Sequence, residues 1–139
     1  MIVNIELKCD RVPPRRLAPA VAECVRAHGL GARALVSSFN PLALAHLRAV
    51  APEVPRALLF YSKQSLPFRR AWPRAALAPI ALHPEHVLAT VARVARWHRL
   101  GYAVNCWTVD DLAAMRRLDG AGVDGLITND PGRTRELLR

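Results

Sequence analysis

Two stretches near the C-terminal end set the architecture: Tyr102 to Val109 (YAVNCWTV) and Gly122 to Pro131 (GVDGLITNDP), about a helix's length apart. Each is a short apolar run that ends in polar residues. Strands of a parallel barrel read this way, because their stems fill the core and their C-terminal ends form the active face. Val3 to Lys8 (VNIELK) has the same form at the other end of the chain. There Val3, Ile5 and Leu7 alternate with Asn4, Glu6 and Lys8, so one face is apolar and the other polar.

Working outward, strands and helices alternate. After Pro13-Pro14, the spacing of Val21, Cys24, Val25 and His28 predicts a helix closed by Gly29. Ala34 to Ser38 is the next strand, and Asn40-Pro41 caps a helix running to about Val50. Arg56 to Tyr61 is a third strand, followed by a loop or broken helix through Pro67 and Pro73. Pro79 to Leu82 is a short strand. Pro84 to Leu100 reads as the clearest helix, with Val87, Val91, Val94, Ala95 and His98 on one stripe and Gly101 as its stop. Ala103 to Trp107, a helix capped by Asp110 or Asp111 and running to Leu118, the strand Asp124 to Thr128, and a closing helix Thr134 to Leu138 complete the set.

Such alternation implies a parallel sheet with right-handed crossovers. A closed (β/α)8 barrel takes eight strands and ~250 residues. The expected fold is therefore α/β, a partial (β/α)8 TIM barrel of five to six strand–helix units, forming one domain over residues 1–139.

The chain has 52% apolar residues and a net charge of +9, carried by 18 Arg and two Lys. That composition excludes a disordered chain. No apolar run approaches the ~20 residues of a membrane span, and the N-terminus lacks the layout of a signal peptide, so a cytoplasmic location is expected. Cys9, Cys24 and Cys106 are odd in number and widely spaced, which favours core thiols over a disulfide framework or zinc site. The arginines are scattered along helices as a solvated basic surface. The one compact group is Arg69, Arg70 and Arg74 with Phe68 and Trp72, and nucleic acid is not an expected partner.

Glu6 and Lys8 stand two apart on one strand face. A carboxylate at a barrel centre suits Mg²⁺ or Ca²⁺, and a lysine beside it suits a phosphate oxygen. The same spacing also fits a solvent-facing ion pair. Ser38 ends its strand as a pocket hydroxyl or as plain packing; no G-x-S-x-G surrounds it. Trp107 is either a flat wall for an alcohol moiety or a core residue. His83 follows a strand and falls at the active face, whereas His28, His46 and His98 sit within helices and His86 begins one.

Glu6-Leu7-Lys8, Ser38-Phe39, Trp107-Thr108-Val109-Asp110 and Thr128-Asn129-Asp130-Pro131, in this order, resemble the C-terminal part of a glycerophosphodiester phosphodiesterase. The resemblance covers Val3 to about Leu137 and departs at Asn129, where the family usually has Asp. It implies metal-assisted hydrolysis of a glycerophosphodiester from deacylated phospholipid, releasing an alcohol and glycerol 3-phosphate. It makes Glu6 a metal ligand, Lys8 a catalytic group at the substrate phosphate, and Ser38 and Trp107 substrate-binding; His83 is a substrate-binding candidate by its place at the strand end alone and matches no catalytic histidine of the family. The family also uses H-R-G, E-x-D and H-D segments, and none occurs in these 139 residues. The expectation is thus an N-terminally truncated domain, binding Mg²⁺ or Ca²⁺ weakly and inactive by itself. A misplaced start, one half of a split barrel, and a remnant with a binding role all fit. The rival reading is a non-catalytic basic module for phosphate-bearing ligands or a complementary half-barrel. An open sheet would leave edges at Val3–Lys8 and Asp124–Thr128 and an uncovered apolar centre, so self-association or a missing N-terminal half is the expected partner.

Overall fold

A computed structural model of the chain describes residues 1–9 and 12–137. Six strands, β1 (Val3–Glu6), β2 (Ala34–Ser38), β3 (Arg56–Phe60), β4 (Ala81–Pro84), β5 (Ala103–Cys106) and β6 (Gly125–Leu126), form one sheet in sequence order. Every pairing is parallel. The crossovers carry α1 (Leu17–Ala27), α2 (Pro41–Val50), the one-turn helices α3 (Leu66–Arg69) and α4 (Arg74–Leu77), α5 (Val91–Arg99) and α6 (Leu112–Gly120). Helix α7 (Pro131–Leu137) follows β6. The result is a curled half-barrel with helices on its outer wall. Leu138, expected in the last helix, lies outside the described residues.

Local chemistry explains most boundaries. The Asn40 side chain accepts the Leu42 amide at 2.9 Å, and Pro41 needs no partner for its missing N–H, so α2 starts there. Asp111, of the two candidate aspartates, caps α6 by accepting from the Ala114 amide at 2.8 Å. Gly29, with φ of 58°, turns the chain out of α1 in a backbone conformation that favours glycine.

One region differs from the expectation. Pro84 ends β4 and does not open a helix. Its carbonyl accepts the Trp107 amide at 3.2 Å, and the Glu85 amide donates to Phe60 at 2.8 Å, so strand pairing runs on past the proline. The helix begins at Val91, where Thr90 accepts the Arg93 amide at 3.4 Å. Its core face is Val94 and Trp97, whereas Val87 and Val91 are 53% and 65% exposed. The cysteines also divide: Cys106 is buried, Cys9 half-buried and Cys24 exposed, and all are free. Burial pushes the Cys106 thiol up to about 12, which leaves it inert.

The sheet has two faces. Val36, Leu58, Phe60, Leu82, Val104 and Cys106 point to the helices and pack with Leu44, Leu47, Val94, Met115 and Leu118. Each such side chain contributes about 1.5–3 kcal/mol when fully buried. At the N-terminal end of β3 the buried Arg56 donates to the carbonyls of Pro52, Val54, Leu77 and Ala78 at 2.7–3.4 Å. Its charge is thereby solvated by backbone.

Register gives the other face. Glu6, Ser37, Ala57, Ala81 and Ala103 are successive Cα partners across β1 to β5. Two residues on come Lys8, Phe39, Leu59, His83 and Asn105, and Asn105 pairs with Gly125. Among the described residues no helix covers this face, yet Ser37, Ala57, Leu59, Ala81 and His83 are each 5% exposed or less. The curl closes neighbouring side chains over one another. The expected uncovered apolar centre is therefore absent along β2, β3 and β4, and exposure gathers at the edge strand, where Asn4 and Glu6 are open.

Candidate active site

The C-terminal ends of the strands meet at one rim, and β1 brings Glu6 and Lys8 to it. Both are exposed, and among the described residues neither side chain makes a hydrogen bond or ion pair, even with the other. They line a pocket of about 380 Å³ with Leu7, Cys9, Ser38 and Phe39. The Ser38 hydroxyl donates to the Leu7 carbonyl at 2.8 Å and accepts the Asn40 amide at 3.0 Å. It thus ties the end of β1 to the start of α2. Ser37, not singled out from sequence, is the register partner of Glu6, and its buried hydroxyl has no partner among the described residues.

His83 is buried on the helix-free face of β4. The Asn105 amide donates to its Nε2 at 3.0 Å, while its Nδ1 has no described partner. Burial pulls the imidazole down to about 4, so it is neutral at pH 7. Gly125 makes room for this pair: a Cβ there would lie 2.5 Å from Asn105 Oδ1. The Trp107 indole N–H donates to the His83 carbonyl at 2.7 Å, so that donor is spent inside the protein.

Phe39 sits edge-on to Trp107, with centroids 5.1 Å apart, and to Tyr61 at 5.8 Å. The three rings form an aromatic row from β2 and β3 to β5 along the rim. Glu85 stands at the same level, two residues beyond His83, and accepts the Ser62 hydroxyl at 2.6 Å and amide at 2.8 Å. Those bonds hold its carboxyl below its ordinary value. Reading His83-Pro84-Glu85 as strand, with the same alternation as Glu6-Leu7-Lys8, would have found it.

Asp110 accepts from the Thr128 hydroxyl and the Asn129 amide at 2.9 Å each, and from Asn129 Nδ2 at 2.7 Å. The Asn129 backbone N–H, then its side chain and Thr128, keep the Asp110 carboxyl low. Asp110 is thus a clasp between the β5 and β6 ends and not a helix cap. It also explains Asn129: an aspartate there would set a second carboxylate against Asp110.

Among the described residues, no group of three or more His, Cys, Asp and Glu side chains could hold a metal ion. A Ca²⁺ ion takes six to eight oxygens, and Mg²⁺ six in octahedral geometry. Glu6 fits as one donor, exposed at the rim and unpaired among the described residues, but the set is not a complete cage.

The chain is 30% identical over 138 residues to a glycerophosphodiester phosphodiesterase of Caldanaerobacter subterraneus subsp. tengcongensis, covering 99% of this chain and 56% of that protein. It superposes with a TM-score of 0.87 on a protein of Silicibacter pomeroyi DSS-3 described as a glycerophosphoryl diester phosphodiesterase, at 28% identity, over 99% of this chain and 50% of that one. An Oleispira antarctica phosphodiesterase, solved with the product sn-glycerol-3-phosphate, matches with a TM-score of 0.84 at 25% identity, over 99% of this chain and 55% of that one. The chain thus spans about half the length of the relatives it matches. The profile of the glycerophosphoryl diester phosphodiesterase family matches residues 7–133, and the chain belongs to that family.

Proposed function

We propose that this chain supplies the phosphate-binding side of a glycerophosphodiester phosphodiesterase site, at which a deacylated phospholipid is hydrolysed to an alcohol and glycerol 3-phosphate. The observation that carries this reading is Glu6 and Lys8, exposed in one pocket and not neutralised by each other. The Lys8 ammonium is the candidate catalytic group, stabilising charge that builds on the phosphoryl oxygens. Glu6 offers one carboxylate to a divalent ion, Mg²⁺ or Ca²⁺, which when bound supplies Lewis acidity. Trp107 and Phe39 wall the alcohol side. His83 and Ser38 serve the substrate through what they hold: His83 orients Asn105 and Trp107, and Ser38 fixes the carbonyl that precedes Lys8.

Calorimetry with sn-glycerol 3-phosphate tests the reading; the ligand of the Oleispira protein motivates that probe. Lys8→Met should weaken binding about tenfold or more, the loss of one charge-assisted contact. Glu6→Gln should weaken Mg²⁺ or Ca²⁺ binding and leave the thermal midpoint unchanged. Wild-type affinity in both variants would overturn the proposal. A polypeptide of these 139 residues should bind without metal-dependent turnover, because His83 is buried and neutral. Turnover of about 1 s⁻¹ or more would place a catalyst among the residues described, with Glu85 the first to examine.

A further inference from the structure

On the opposite side of the sheet from Glu6 and Lys8, the outer wall carries a second pocket. It has a volume of about 340 Å³ and is lined by Arg69, Arg70, Trp72, Arg74, Arg93, Arg96, Trp97 and Leu100. The arginines come from two separate elements: the α3–α4 segment supplies three, and α5 supplies Arg93 and Arg96. Ala71, fully buried with φ of 53°, reverses the chain between α3 and α4 and puts Arg69, Arg70 and Arg74 around one space. A left-handed alanine is disfavoured, so packing must hold this turn in place. The Arg74 guanidinium helps by donating to the Ala71 carbonyl at 2.8 Å and to the Arg70 carbonyl at 3.3 Å.

The charge is not balanced from within. Among the described residues no Asp or Glu lines the pocket, and none of its guanidiniums touches a carboxylate. Arg93 donates to the Leu88 carbonyl at 3.1 Å, whereas Arg69, Arg70 and Arg96 have no described hydrogen-bond partner. Five like charges around one concavity repel one another, and an anion seated among them removes that cost. The wall is built as well as charged: Trp97 is 7% exposed and pinned edge-on to Phe60 at 5.8 Å. Trp72, by contrast, is 55% exposed at the mouth.

We infer that this pocket binds a multiply charged phosphoryl group, with Trp72 against the apolar part of the molecule that carries it. Guanidinium forks match phosphate oxygens two at a time, and arginine is preferred where such recognition is needed. The volume lies at the small end of ligand pockets and suits a phosphomonoester or diphosphate. The phosphoryl group arrives either on a soluble molecule or at the head of a membrane lipid.

Calorimetry with inorganic pyrophosphate and flotation with phosphatidylcholine vesicles containing phosphatidic acid distinguish the two sources. The decisive variant is Arg70→Gln with Arg96→Gln, both exposed, compared with Arg15→Gln and Arg16→Gln, exposed residues ahead of α1 that do not line the pocket. Each pair lowers the net charge of +9 by two, so a general charge effect moves both equally. Pyrophosphate binding weakened about tenfold or more only in the Arg70/Arg96 variant supports the site with a soluble ligand. Vesicle binding lost only in that variant supports it with a lipid headgroup. No binding to either probe, or equal loss in both variants at unchanged thermal midpoints, overturns it.

Discussion

The side-chain amide of Asn129 donates to the carboxylate of Asp110 across 2.7 Å, and so joins the ends of two neighbouring strands. The two positions hold one amide and one carboxylate between them, and the pairing works only while that stays true. Asp110→Asn and Asn129→Asp should each lower the thermal midpoint, the second more, because it opposes two carboxylates. Exchanging both residues together should restore most of the loss. A double variant that melts no higher than the worse single would show that the contact is incidental. The pH dependence has a definite sign. The Asp110 carboxyl is held below 3.8 in the folded chain, so its contribution is full above 3.8 and disappears as pH falls through the lower folded value.

His83 should make the fold acid-sensitive in a different window. Its imidazole titrates near 6.5 when unfolded and near 4 when buried. Between those values the unfolded chain binds the extra proton, so stability falls as pH drops from about 6.5 to about 4. The full effect is on the order of 3 kcal/mol. Denaturant midpoints measured at pH 7 and pH 4.5 should differ less in His83→Gln than in the wild type. An equal pH dependence in both would place the imidazole in contact with water.

Gly125→Ala should act at a distance from its own strand. The added methyl occupies the space of Asn105 Oδ1, so the Asn105 amide must rotate and leave His83 Nε2. The imidazole then loses its described hydrogen-bond partner, and its proton resonances should shift. Unperturbed His83 signals in Gly125→Ala would mean that the backbone of β6 moves away instead.

A polypeptide of these 139 residues should self-associate through the edges of β1 and β6. Both present unpaired backbone N–H and C=O groups. The apolar trough between them is already closed, so the association is edge pairing and not a merging of cores. Lys8 and a net charge of +9 should weaken it at low salt. Sedimentation at rising salt decides. A monomer of 15.3 kDa at every salt concentration, with one sharp unfolding transition, would show that both edges are covered some other way.

How much could be read from sequence followed the range of the interactions. β2 and α2 were legible to the residue because Asn40-Pro41 is a local signal that nothing overrides. β4 and α5 were not, because a proline reads as a helix start until its carbonyl is seen to accept from Trp107, 23 residues away. Glu6 and Lys8 were legible as neighbours on one strand face. That Ser37 stands beside Glu6 depended on the register of β2 against β1. Asp110 and Asn129 meet only through the pairing of β5 with β6; Arg69, Arg70 and Arg74 were legible as one basic group, but that Arg93 and Arg96 join them in one pocket was not. Each of these lay beyond any single periodic segment.

The alternation along β1 has a mechanical consequence. Val3 to Glu6 faces Ala34 to Ser37 residue for residue, and strand side chains switch sides at every step. Sliding β1 by one residue would turn Glu6 and Lys8 into the oily layer under the helices and roll Ile5 and Leu7 onto the exposed edge where Asn4 and Glu6 now stand. Two charges would lose water and two apolar groups would gain it, so the misaligned sheet is penalised twice. The same pair of charges that equips the rim for chemistry thus also works as a ratchet tooth, allowing the first strand to seat in one position.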